Sequence, residues 1–391
     1  MNISSGDRDC QSRDVVVIHE TNGRKYLEAL TYLQKRGKLR SVRFVGASVI
    51  WRFFHSLLRE RKGLRAALRL SLDNLKFRLT FCKLRHHTVI LCVAPWDYRF
   101  LLYGFLRRRN RLIYNTSWPY WQGSRVPRKL WPLTPLLRRA WRRILSEPTV
   151  EVVAAVSAAA QSLSSAVSLE RPPTVISHAV SDVFFKVRAR RALPVRLLFV
   201  GDLSPKKGVL ELPKLLEAVH EEGVLIDIVG DGPLREVARE IAQRANCHWH
   251  GQVTDRAQLA AIAANCQILV SPALSTNRWE ELFGMSILEA MASGLPCIVS
   301  DHVGPRSIIR SGVDGILVPE GSTDIIASWI KRLHADPEQW AAISQRAVAT
   351  AQKHSLQEIA AQWNRLLMAP QGEASQELVA EQPTNPVLVS A

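Results

Sequence analysis

The chain has 391 residues, enough for two domains, with 47% hydrophobic and 22% charged residues, the balance of an ordinary globular protein rather than a fibrous or disordered one. The six cysteines include no Cys-x-x-Cys pair, which argues against a zinc module or a disulfide framework and for buried, reduced thiols in the cytosol. The net charge of +17 is concentrated at the front: residues 1–190 carry 35 of the 52 Lys and Arg but 12 of the 35 Asp and Glu, so this half is suited to a polyanion or an anionic membrane.

The polar, acid-bearing start of the chain does not read as a signal peptide. No run of about 18 uninterrupted apolar residues occurs, so no transmembrane helix is expected. The best candidate, residues 150–167, is rich in Ala and Ser and contains Glu151 and Gln161.

Asp14–Glu20 reads as a first buried strand, followed by a turn at Gly23 and a helix over 24–36. Ser41–Gly46 is a second strand. Residues 49–79 form a long helical region with Ile50, Phe53, Phe54, Leu57 and Leu58 on one face and arginines over the rest. Further strands are expected over 87–94 and 111–116. The loop Ser117-Trp-Pro-Tyr-Trp-Gln-Gly123 follows the second of these at its carboxyl end. Its Trp118, Tyr120 and Trp121 either stack on a sugar or pack the loop.

Residues 129–145 form a second basic amphipathic segment, its regular helix starting near Pro135. Strands at 151–157 and 174–180 close a first domain, and the basic stretch 185–193 reads as a linker. A second sheet restarts at Val195–Val200, with further strands at 225–229, 247–253, 267–272, 297–300 and 312–319. Terminal helices cover 323–334 and 337–368. The tail from 369 lacks large apolar residues and reads as disordered. The alternation of strands and helices implies two doubly wound Rossmann-like α/β domains facing a cleft.

The most informative stretch runs from Glu281 to Pro296. Gly284 frees the backbone, and Ser286 with Glu289 has the spacing of a capping box. Glu281 then lies in a loop at the carboxyl end of a strand, with the backbone amides of Gly284, Met285 and Ser286 open to an anion. The pattern Glu281-x-Phe-Gly-x-x-x-x-Glu289-Ala-Met-Ala-x-Gly-x-Pro296 resembles the signature of the retaining glycosyltransferases of family 4, which have the GT-B fold. The resemblance covers residues 195–368 well and the first domain in architecture.

The resemblance implies a glycosyltransferase using a nucleotide sugar, UDP-linked, and an acceptor that is a lipid-linked or lipopolysaccharide-type glycan at the inner face of a bacterial membrane. In that family the first glutamate contacts donor-sugar hydroxyls and the second the ribose, which maps them onto Glu281 and Glu289, with Phe283 beside them. Gly201-x-Leu-x-Pro-x-Lys-Gly208 resembles the diphosphate loop, with Lys207 as its lysine. The family usually has arginine where this chain has Asp202, so Asp202 is expected to turn away, towards Lys206 or a local N–H. Gly230 and Gly232 match a turn near the nucleotide. On the acceptor side the resemblance points to Gly23 and to Asn115, where relatives carry histidine.

The implied division is an acceptor-binding domain over 1–187, a donor-binding domain over 188–350, a helix at 351–368 crossing back to the first domain, and the tail 369–391. No metal and no cofactor are expected. An anionic membrane is the expected partner of the basic segments 49–72 and 129–145, and no nucleic acid, since no nucleic-acid-binding signature occurs. A basic nucleic-acid- or membrane-binding relative without transferase activity is the alternative.

Overall fold

The structure, a computed structural model, describes residues 13–20, 23–46, 72, 75–122, 125, 133–244, 246–277 and 279–370. The expected helical face at 49–71, the first residues of the 129–145 segment, Arg278 and the tail from 371 lie outside these residues. The chain divides into two compact units, residues 1–177 with 359–391, and residues 178–358.

The first unit holds a six-stranded parallel sheet built from β1 (Asp14–His19), β2 (Ser41–Gly46), β3 (Thr88–Cys92), β4 (Arg111–Thr116), β5 (Val150–Ala154) and β6 (Thr174–Val175), in the order β2-β1-β3-β4-β5-β6. β3 and β5 are buried along their whole length, as central strands of a sheet covered on both faces are, and the one charge in β5, Glu151, is paired with Arg111. An aromatic cluster fills one side: the Phe100 and Trp141 rings stack 3.7 Å apart, with Tyr114, Trp96 and Trp121 edge-on to Trp141 or to one another. Helix Thr134–Leu145 starts beside Pro135 and buries Leu137, Trp141, Ile144 and Leu145. Leu133 and Leu136 remain exposed, as do Leu75, Leu79 and Leu102.

The last helix, Leu356–Met368, belongs to this unit from Ile359 onward. Arg111 at the start of β4 holds its end. The guanidinium pairs with the buried Glu151 and donates to the carbonyls of Leu366, Leu367 and Ala369 at 2.7, 3.1 and 3.2 Å. A cation on the last carbonyls of a helix satisfies acceptors that lack an intrahelical partner.

The second unit repeats the architecture with β7 (Arg196–Val200), β8 (Leu225–Val229), β9 (His248–Trp249), β10 (Ile268–Ser271), β11 (Cys297–Ser300) and β12 (Ile316–Val318), ordered β12-β11-β10-β7-β8-β9, all parallel. The chain winds from β7 to β8 and β9, then crosses to β10 and continues outward. The direction of winding therefore reverses between β7 and β10. In the first sheet the reversal falls between β1 and β3.

Several expectations need correction. The helix expected over 24–36 is two short helices, Gly23–Tyr26 and Glu28–Lys35, and the strand expected over 247–253 pairs only at His248–Trp249. The helix over 337–368 is two helices, Pro337–Gln352 and Leu356–Met368, interrupted where His354 accepts the Val180 N–H at 2.8 Å on its carbonyl. The strand expected over 174–180 pairs for only two residues. The capping box is not formed: Gly284 is the N-cap of helix Met285–Ala292, in the left-handed region at φ +89°, so Ser286 lies inside the first turn and Glu289 is past it. Among the described residues, no helix is long and apolar enough to cross a membrane.

Candidate functional site

Two loops meet at the carboxyl edge of the second sheet, one after β7 and one after β10. In open parallel sheets this reversal point is where ligands bind, because the flanking loops part there. The loop after β7 passes through Gly201 and a tight turn at Pro205–Lys207, then Gly208 at φ +72°. A side chain on Gly208 would lie 1.8 Å from the Pro272 carbonyl oxygen, so only glycine lets the two loops touch. Leu274 N–H donates to the Lys206 carbonyl at 2.9 Å just beyond that contact.

This contact brings Lys207 to Glu281. The ammonium and carboxylate form an ion pair, with 21% and 19% of their side chains exposed. Both Lys206 and Lys207 place their Nζ 5.0 Å from the centre of the Trp279 ring. Trp279 is held in turn by a pair of backbone hydrogen bonds with Thr276.

Glu281 is fixed from behind by His302, a fully buried residue that follows β11. Its Nδ1 accepts the Glu281 N–H at 3.1 Å, and its Nε2 lies 3.1 Å from the Ala273 carbonyl and 3.3 Å from Glu320 Oε1. A ring nitrogen that accepts carries no hydrogen, so Nε2 bears it and donates. Glu320 also accepts the Ser275 N–H at 2.7 Å. One imidazole thus ties together the loops after β10, β11 and β12. Glu280 and Glu281 add two further bonds, to Val303 N–H at 2.8 Å and Gly304 N–H at 2.9 Å.

Helix Met285–Ala292 begins beside Glu281. Among the described residues, the N–H groups of Gly284, Met285 and Ser286 donate to no protein acceptor. Free amides at a helix start favour an anion. Glu289 lies half-buried one turn along the same helix. The Phe283 ring is buried against His178, 4.5 Å between centres, leaving its backbone for the loop edge.

The glycines of this edge do different work. A side chain on Gly230, at φ +142°, would meet the Gly201 carbonyl oxygen at 1.8 Å, and one on Gly232 the Leu203 carbonyl oxygen at 2.5 Å. Both are required by loop packing whatever binds. Gly201 is not: an added Cβ would meet nothing closer than 3.7 Å, its first neighbour being the Lys207 stem. Asp202 is exposed and, among the described residues, its carboxylate has no partner. It turns to solvent rather than to Lys206, whose ammonium is on Trp279.

In the first unit, the reversal point between β1 and β3 is held by charge. Arg99 donates from Nε to Asp97 Oδ1 at 2.9 Å and from Nη2 to Glu20. Asp97 is wholly buried and caps helix Tyr98–Gly104 through the Arg99 N–H at 2.9 Å. Burial opposes the Arg99 charge, but the hydrogen bond to Asp97 and the charges of Glu20 and Asp97 outweigh it and raise the guanidinium above its ordinary value.

The residues expected on the acceptor side lie along the same sheet edge with unequal access. Gly23 is buried at a helix start, its missing side chain facing His19 and Phe44. Asn115 is the last residue but one of β4 and donates to Cys92 Sγ at 3.6 Å; burial pushes that thiol up to about 12. Trp118 and Tyr120 are half-buried and contact each other, the Trp118 indole donating to the Tyr120 carbonyl at 2.9 Å. Trp121 is a correction: it is 2% exposed inside the aromatic cluster and cannot stack on an acceptor.

Lys206, Trp279, His302 and Glu320 carry no sequence motif, and Glu20, Asp97 and Arg99 sit 77 or more positions apart between their ends. Their roles follow from loops meeting in space.

Residues 194–336 match the family model described as Glycosyl transferases group 1. The chain is similar to an exopolysaccharide phosphotransferase of Streptomyces coelicolor, 30% identical over 146 residues, which covers 37% of this chain and 15% of that protein. It is also similar to the GtfA subunit of the UDP-N-acetylglucosamine–peptide N-acetylglucosaminyltransferase of Streptococcus pneumoniae, 29% identical over 145 residues, or 36% of this chain and 28% of that one. The chain thus spans less than a third of the length of either of these relatives. Among solved structures, Anabaena Alr3699/HepE in complex with UDP superposes with a TM-score of 0.63 at 17% identity, covering 90% of this chain and 99% of that one. That likeness is one of fold: two doubly wound domains, as in the GT-B glycosyltransferases.

Proposed function

We propose, from the premise that residues 194–336 form a domain of the glycosyl transferases group 1 family, that this chain is a retaining hexosyltransferase. It moves a sugar from a nucleotide sugar, UDP-linked, to a hydroxyl of a glycan or lipid-linked acceptor in bacterial cell-surface polysaccharide synthesis. The carrying observation is the meeting of Lys207 and Glu281 at the reversal point of the second sheet, beside the free amides of Gly284–Ser286.

The chemistry fits these groups. A nucleoside diphosphate leaves with its negative charge growing, and a lysine plus backbone amides stabilise that charge without rearranging. Glu281 contacts the sugar hydroxyls, and Glu289 the ribose. The bond from the anomeric carbon to the diphosphate oxygen breaks while the acceptor oxygen bonds to that carbon on the same face. The acceptor's proton passes to the departing diphosphate. The protein's share is orientation and electrostatics. Because Glu281 already sits on Lys207, a diphosphate competes with it, and binding of the donor frees Glu281 for the sugar.

The first unit supplies the acceptor side, with Gly23, Asn115, Trp118 and Tyr120 along its sheet edge. Leu133 and Leu136 together with the exposed Arg139, Arg142 and Arg143 support peripheral binding to an anionic membrane, for which each basic residue contributes about 1 kcal/mol. The printed names of the relatives support a polysaccharide pathway and a UDP-linked donor.

The test is a melting-temperature panel of UDP, GDP and ADP with their sugar conjugates, since a ligand of the folded state raises stability by mass action. A rise with one diphosphate series that disappears in Lys207→Ala is the expected result. No rise with any of them refutes the reading. Co-sedimentation with anionic liposomes at low and high salt tests the membrane part, which fails if pelleting ignores lipid charge.

A further inference from the structure

The loop after β7 presents a second ammonium for which the scheme above has no use. Lys206 is half-buried with its Nζ 5.0 Å from the centre of the Trp279 ring, matching Lys207 on the same ring. Lys207 has Glu281 as its counter-charge. Among the described residues, Lys206 forms no ion pair and no side-chain hydrogen bond. Its backbone is fixed, the carbonyl accepting the Leu274 N–H at 2.9 Å two residues before the Gly208–Pro272 contact. Trp279 is fixed by its own bonds to Thr276.

Two cations drawn to one ring repel each other, and a single carboxylate offsets only one of them. The remaining positive charge is held in place at the edge where the free amides of Gly284–Ser286 also gather. Such a pair favours a ligand with at least two negative charges on adjacent groups. Asp202 brings no cation to the loop, being exposed and unpaired among the described residues. We propose that Lys206, positioned on the face of Trp279, is the second cation for the diphosphate of the donor. It shares with Lys207 a charge that no arginine of this loop supplies. A lysine meets phosphate as a point charge, so the ring, rather than a bidentate fork, sets its position. The inference rests on the reading of this edge as the donor site.

The experiment is calorimetric titration of the full chain with UDP, GDP and ADP, carrying forward the one that binds and its monophosphate. Lys206→Ala is expected to weaken the diphosphate about tenfold and the monophosphate less than twofold. Lys206→Arg is expected to restore most of the loss, and Trp279→Ala to reproduce part of it. Lys206→Gln, which keeps the stem, serves as the companion variant should the alanine variant fold poorly. Lys207→Ala is the reference. If Lys207→Ala weakens the diphosphate while Lys206→Ala and Lys206→Gln do not, this inference is overturned and the donor site stands. If none of the three diphosphates binds, or Lys207→Ala changes nothing, both fall. Equal weakening of diphosphate and monophosphate by Lys206→Ala would assign Lys206 to holding the loop, and also overturns the inference.

Discussion

At the reversal point of the first sheet, one arginine sits between two carboxylates, and the carboxylate nearest the helix is wholly buried. At the reversal point of the second, two lysines share a ring and only one carboxylate stands near. The topology is equivalent, and so is the place. The side chains differ in what they leave over. In the first unit the strong donors of Arg99 are consumed inside the protein, and Asp97 also serves a helix start. In the second, among the described residues, one ammonium has no counter-charge and three amides have no acceptor. A strand order therefore indicates where a ligand can sit, and the unspent charge indicates whether one is wanted.

The sharpest break of this comparison comes from matched substitutions. Lys207→Ala and Glu281→Ala are each expected to lower sugar transfer by about 10²–10³, the usual effect of losing one preorganised electrostatic group. They separate in binding: UDP weakens in Lys207→Ala but holds or tightens in Glu281→Ala, which releases Lys207. Full turnover in Glu281→Ala would remove it from the site. Arg99→Ala should do the opposite kind of damage. It strands the buried Asp97 and lowers stability by about 3 kcal/mol, as loss of one partner of a buried pair does, with UDP affinity unchanged. Denaturant unfolding beside calorimetry reads both quantities.

The glycines sharpen the contrast within the second unit. Gly230→Ala must displace the Gly201 carbonyl and is expected to cost about 1–3 kcal/mol in folding. Gly201→Ala has room, so its melting temperature should hold while nucleotide binding falls; an unchanged affinity would show that nothing approaches the backbone there. The smallest effect belongs to Asp202→Ala, with stability within about 0.5 kcal/mol of the parent. Its UDP affinity should be equal or slightly higher, and a clear loss would mean that Asp202 contacts the nucleotide.

Much of this was legible in the residues. β11 begins and ends where expected, because a strand buried along its whole length has no polar alternation to blur its limits. β2 and β4 also match their expected bounds, although β2 is an edge strand with Ser41 and Arg43 exposed. The pairing of Lys207 with Glu281 was not, since the two are 74 positions apart and brought together by loops that meet at the Gly208–Pro272 contact and the Leu274–Lys206 hydrogen bond. The Ser286–Glu289 spacing misled because a capping box and a helix interior share it. The glycine just before Met285 decides the matter, by taking the left-handed position that starts the helix. His302 left no trace in the sequence, as its partners Glu281 and Ala273 lie 21 and 29 positions back. Trp121 looked like a loop aromatic because burial by Trp96, Tyr114 and Trp141 is a property of the packed unit.

The helix whose end Arg111 grips comes from the far side of the second unit in the chain, so the first unit is interrupted between Ser177 and Ile359. On a ribosome adding about 5–20 residues per second, some ten to forty seconds pass between these two points. Through that interval the emerging first unit lacks Ile359, Ala360, Trp363, Leu366 and Leu367, all buried in the finished protein. Arg111 and Glu151 wait for the carbonyls that complete their network. The second unit, being continuous, can fold as soon as it has cleared the exit tunnel. The first half of the gene thus encodes the part that finishes last, and a nascent chain stalled before residue 359 presents an incomplete core to chaperones.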